Sequence, residues 1–100
     1  MHFLLDEPLP GDVAKAIAER MVQRRKEHHM SQSQLAEASN VSLGSIRRFE
    51  QIHEISLTSL INIAFALGCE ADFADLFANP YYETLEDVEA ARKRQGGGRS

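Results

Sequence analysis

From Asp12 to about Met30 the apolar residues Val13, Ala16, Ile17 and Met21 recur three and four positions apart, the period of one helix face. Asp12 is the expected N-cap, its carboxylate accepting from the orphan amides of the first turn. Ser31 restarts the pattern. The spacing of Ser31-Gln-Ser-Gln34 suits a capping box, with Ser31 serving a first-turn amide and Gln34 reaching back. Leu35, Ala36 and Ala38 then make a short second helix to about Ser39. Asn40 tolerates the left-handed conformation that ends a helix tightly. Val41 is a single apolar plug in the turn, and Ser42 caps a third helix to about Gln51, with Ile46 and Phe49 facing inwards.

The most apolar stretch comes next. After a loop from Gln51 to Ile55, Ser56 or Thr58 caps a fourth helix carrying Leu57, Leu60, Ile61, Ile63, Ala64 and Leu67. This stretch is the expected centre of the core, and Gly68 supplies its stop. Ala71 to Phe77 is read as a short fifth helix whose Phe73, Leu76 and Phe77 close that core. Asn79-Pro80 marks a break, and Thr84 opens a charged helical stretch to about Arg94. The pattern gives an all-α chain in four parts. Residues 1–11 form an extended lead-in, 12–78 the folded domain, 79–94 a C-terminal extension, and 95–100, with three glycines, a disordered tail.

Composition narrows the class. With 43% hydrophobic and 26% charged residues in 100, the chain has material for one modest core. The net charge of −4 conceals a division. Residues 15–48 hold seven basic side chains against three acidic ones, whereas residues 51–91 hold eight acidic ones and no Lys or Arg. Such a chain can turn one face to a polyanion and another to a different partner. Cys69 is the only cysteine, which excludes an internal disulfide and suits a cytoplasmic location. No apolar run reaches the ~18–20 residues of a membrane span, and the start is too short and wrongly flanked for a signal peptide.

The candidate chemistry lies between Ser31 and Gln51. Leu35, Ala36, Val41, Ile46 and Phe49 lock two short helices together, leaving Ser42, Leu43, Gly44, Ser45, Arg47 and Arg48 along the outer side of the second. A guanidinium there can bond guanine O6 and N7 together in the major groove, or pair with phosphate. Gly44 and Ser45 allow close backbone approach, and Leu43 can touch a thymine methyl. Gln32, at a helix N-terminus, sits where phosphate binds well. His28 and His29 are adjacent, which separates them around a helix, and their spacing to His53 or Cys69 fits no zinc pattern. Neither a metal nor a cofactor is expected. Without a phosphate loop or a nucleophile–base pair, an enzyme is not expected either.

The run Met30-Ser-Gln-Ser-Gln-Leu-Ala-Glu-Ala-Ser-Asn-Val-Ser-Leu-Gly-Ser-Ile-Arg-Arg-Phe-Glu50 resembles the phage-repressor and Cro-like (XRE) helix-turn-helix family. The likeness continues through Ser59-Leu-Ile-Asn-Ile-Ala-Phe-Ala-Leu-Gly68 and covers roughly residues 13–77. It implies a five-helix, lambda-repressor-like domain that binds a double-stranded DNA operator as a homodimer and represses transcription. It also implies an ion pair between Arg25 of the first helix and Glu50 at the end of the third. Two departures stand out: Asn40 replaces a frequent glycine, and Gln51-Ile52 follows the third helix where the family often has glycine. A narrower resemblance takes in Ser45 to Ser56, Asp75-Leu-Phe77 and Tyr82 to Val88, and looks like HipB-type antitoxins, which hold a HipA-type toxin kinase inactive and repress their own operon. On that reading Tyr81, Tyr82, Leu85 and Val88 either dock on the chain's own core or contact a second copy or the kinase. The alternatives are an XRE regulator with no toxin and an interaction subunit that no longer binds DNA.

Overall fold

The computed structural model describes residues 8–81 and 84–98. They form five α-helices, α1 Pro10–Glu27, α2 Gln32–Ser39, α3 Leu43–Ile52, α4 Leu57–Ala66 and α5 Leu85–Gly98, with a 3-10 helix at Glu70–Phe73 between the last two. The architecture is all-α, as expected for a lambda-repressor-like domain.

Helix α1 begins three residues earlier than the pattern indicates, with Leu9 rather than Asp12 as its N-cap. Pro10 occupies its first turn, where a missing amide costs nothing. Asp12 is therefore an N3 residue rather than the N-cap, and its Oδ2 accepts from the Leu9 amide at 3.0 Å. The helix also stops at Glu27, short of Met30. His29 turns left-handed (φ 57°), the His29 amide reaches the Lys26 carbonyl at 2.9 Å, and the Met30 amide reaches the Arg25 carbonyl at 3.1 Å. That pair of bonds is a Schellman closure. The same device ends α4, with Gly68 (φ 71°) left-handed and the Cys69 amide on the Ala64 carbonyl at 2.8 Å.

Helix α2 packs on both α3 and α4, and α1 packs on α3. At their junction Ala18, Met21, Leu35, Val41, Ile46, Phe49, Ile63 and Leu67 form one buried cluster. Leu35 and Ile46 have no exposed surface at all. His28 Nε2 meets the Leu67 carbonyl at 3.0 Å and joins the ends of α1 and α4. Burial of the half-covered Cys69 beside this junction pushes its thiol pKa up, and neighbouring Asp72 adds to the effect.

Beyond α4 the apolar pattern misleads. The stretch 71–77 is not an α-helix: after the 3-10 turn the chain bends, and Phe77 sits left-handed at φ 57°. Unlike α2, which is also short but starts with a capping box, this segment starts without a side-chain cap to help offset the cost of helix nucleation. Phe73 is half-buried, but Leu76 and Phe77 are exposed and do not close the core. Leu57, at the start of α4, is exposed as well, as is Phe65 further along it. Helix α5 is capped by Thr84, whose Oγ1 accepts from the Asp87 amide at 3.1 Å. It runs through Gly98, further than Arg94 and into the stretch expected to be disordered. Backbone hydrogen bonding carries a helix through residues of poor propensity once the preceding turns exist. Ala91 is buried and Val88 half-buried, whereas Tyr81 and Leu85 are exposed; Tyr82 lies outside the described residues.

Candidate nucleic-acid interface

The turn between α2 and α3 is built from local bonds. The Gln34 amide donates to Ser31 Oγ at 3.1 Å and the Ser31 amide to Gln34 Oε1 at 2.8 Å, completing the capping box. At the other end, buried Ser39 donates its hydroxyl to the Leu35 carbonyl at 2.7 Å. Asn40 then takes φ 57°, and Val41 inserts beneath the turn. Ser42 Oγ accepts from the Ser45 amide at 3.1 Å and donates to Ser45 Oγ at 2.8 Å. These contacts fix where α3 starts and which way it leaves the domain. Its inner face, Ile46 and Phe49, is buried, so the opposite face must be outward.

Leu43 and Ser45 are half-buried on the outer side, while Ser42, Gly44, Arg47 and Arg48 are exposed. Gly44 has an ordinary backbone angle, and a Cβ there would meet nothing within 4 Å. The fold itself therefore does not require glycine at this position. Ser42, by contrast, commits its hydroxyl proton to Ser45 Oγ and accepts the capping bond from the Ser45 amide. Arg47 has no ion-pair partner among the described residues.

Behind the outer face lies a charged cluster. Arg25 Nε and Nη2 donate to Glu50 Oε2 and Oε1 at 3.0 and 3.1 Å, and Nη1 donates to the Met30 carbonyl at 2.9 Å. The pair is about one-tenth exposed and ties α1 to the end of α3. Gln32 joins it, donating from Nε2 to Glu50 Oε1 at 2.9 Å. The Gln32 side chain, expected to face phosphate, thus has its amino group turned to Glu50. Its backbone amide and that of Ser33 stay at the α2 N-terminus, where helical amides lack intrahelical partners.

One member of the site escaped the sequence reading. Arg48 Nη2 donates to Glu54 Oε1 at 2.6 Å, with both side chains largely exposed. His53, left-handed at φ 67°, turns the chain after α3 and brings Glu54 back alongside Arg48. A separation of six matches no helical neighbour spacing, so no periodicity signals the contact. Ser45, Arg48, Glu54, Ile55, Ser56 and Ser59 line a surface cleft of about 370 Å³ between α3 and the start of α4. Among the described residues, no three His, Cys, Asp or Glu side chains gather as a metal site would need. No helix there is long and apolar enough to cross a membrane.

Two short helices locked by a left-handed turn, the second with an exposed face carrying Arg47 and Arg48, define a helix-turn-helix DNA-binding module. A family model described as helix-turn-helix matches residues 22–73, from within α1 through the 3-10 helix and across more than half of the chain. The chain belongs to this XRE-type helix-turn-helix family and is a DNA-binding transcription regulator. No curated protein and no solved structure matches it.

Proposed function

We propose that the protein is a sequence-specific repressor that binds its operator as a homodimer, with α3 in the major groove. The observation that carries this reading is the outer face of α3, where Gly44, Arg47 and Arg48 are exposed on a helix anchored by Ile46 and Phe49. Arg47 and Arg48 read base edges or phosphates, Leu43 and Ser45 make closer contacts, and Gly44 lets the backbone approach. The first-turn amides of α2, beside Gln32, and of α3, beside Ser42, hold phosphates. Residues 12–78 serve as the folding unit.

The narrower reading is an antitoxin that also holds a HipA-like kinase. Among the described residues, six large apolar side chains between Leu57 and Leu85 are exposed: Leu57, Phe65, Leu76, Phe77, Tyr81 and Leu85. They lie in the half of the chain that carries no Lys or Arg up to Ala91, which DNA would repel. Exposed apolar groups of this size favour a protein partner; Tyr81 and Leu85 are exposed among them, with half-buried Val88 one turn along from Leu85.

A mobility-shift titration against the DNA upstream of the reading frame tests the central reading. A retarded complex that survives excess scrambled duplex is expected, and equal competition by scrambled duplex overturns sequence-specific binding. Truncation after Ala78 tests the partner surface. Loss of dimer and of kinase retention with the melt preserved supports it. A truncated chain that still dimerises and still holds the kinase refutes it.

A further inference from the structure

We infer that Glu54 is a specificity-determining residue that acts through Arg48, orienting the guanidinium for a base and withholding its charge from phosphates. The inference rests on the reading that α3 enters a DNA groove. Glu50, the acidic residue nearest Arg48 within α3, is occupied by Arg25 and Gln32 and has its carboxylate turned towards α1 and α2. Glu54 reaches Arg48 from the far side of the His53 turn. Both partners are about two-thirds exposed, so the bond adds little to the fold and its consequence is positional.

Arginine carries five N–H donors. The bond to Glu54 takes one from Nη2 and leaves enough for a bidentate contact with guanine O6 and N7. A free guanidinium on a long side chain would find the nearest phosphate on any duplex. One paired with a carboxylate presents less net charge to the phosphate backbone, which dominates non-specific affinity. The cleft beside the pair, lined by Ser45, Ser56 and Ser59, gives the two side chains room to hold this arrangement at the groove.

The test is a double-variant cycle on the full-length chain, with Glu54→Ala and Arg48→Ala alone and together. The probes are the tightest duplex selected from a random pool by the wild-type protein and a scrambled duplex of the same composition, each titrated over a range of salt. Glu54→Ala is expected to lower the selected-to-scrambled affinity ratio about tenfold and to steepen the salt dependence on scrambled DNA by about one ion. In the Arg48→Ala background the same change should leave the ratio within about twofold, because the residue it acts through is gone. An equal fall in both backgrounds would show that Glu54 works only through its general field and overturns the inference, as does an unchanged ratio in the wild-type background. In either case DNA binding itself stands. If the wild-type chain selects no duplex, the groove reading fails and this inference falls with it.

Discussion

Arg25→Ala tests what holds the helix-turn-helix in place. The substitution removes two charge-assisted bonds to Glu50, at 3.0 and 3.1 Å, and a third to the Met30 carbonyl at 2.9 Å. It leaves a carboxylate about one-tenth exposed. Breaking a buried pair from one side costs ~3–5 kcal/mol, because the remaining charge keeps its desolvation penalty. Here Glu50 retains the Gln32 bond and some access to water, so the loss should fall near the lower end, about 3 kcal/mol. For a domain of this size that corresponds to a fall in melting temperature of roughly 12–24 °C. The assay is denaturant unfolding followed by circular dichroism, repeated for Glu50→Ala and the double variant. The double variant should lose less than the sum of the singles, by about 2 kcal/mol, since neither charge is left alone. The Arg48–Glu54 pair is an internal control. It is shorter, at 2.6 Å, yet largely exposed, so Glu54→Ala should shift stability by less than ~1 kcal/mol. A loss below ~1 kcal/mol for Arg25→Ala, with no coupling to Glu50, would refute the argument that burial rather than distance sets the value.

Gly44→Ala should raise stability by up to ~1 kcal/mol, since helical glycine costs conformational entropy and the added Cβ meets nothing. The same variant should bind operator more weakly, and unchanged binding in a titration would mean that α3 does not approach DNA at this point. Arg48→Ala should cost about 1–3 kcal/mol on operator DNA and relax one base position, whereas Gln32→Ala, which keeps the backbone amide at the α2 N-terminus, should lower the melt because Glu50 loses a partner and change DNA affinity little. Equal losses on operator and scrambled DNA for Arg48→Ala would exclude base reading. Cys69 should alkylate with iodoacetamide at pH 8 more slowly than a free cysteine peptide, because its raised pKa leaves less thiolate. A rate equal to the peptide's would contradict that shift. The sign for stability is the same: native Cys69 holds its proton more tightly than the unfolded chain, so stability is retained below the unfolded thiol's pKa and lost as pH rises through the range above it.

The local chemistry of this chain is written in its sequence. Ser31 with Gln34, and Ser42 as a cap, act on amides three residues away, so their positions alone place the starts of α2 and α3; of the two candidates before α4, Ser56 and Thr58, it is Ser56 that caps it. Leu35, Ile46, Phe49 and Ile63 fall on inward faces once those helices exist, Val41 plugs the turn between α2 and α3, and all are buried. What the tertiary structure alone decided depends on longer paths. Period and hydropathy make Leu57, Leu76 and Phe77 look like core, but a side chain is buried only if another element covers it, and here they stay exposed. Gln32 has the chemistry of a phosphate ligand, yet its amino group meets Glu50, eighteen positions away, because α2 and the end of α3 converge. Glu54 looks like loop acid until the left-handed angle at His53 turns it back on Arg48. Capping rules act over a few residues, whereas these contacts depend on how dihedral angles accumulate between distant positions, and that is settled only when the helices pack.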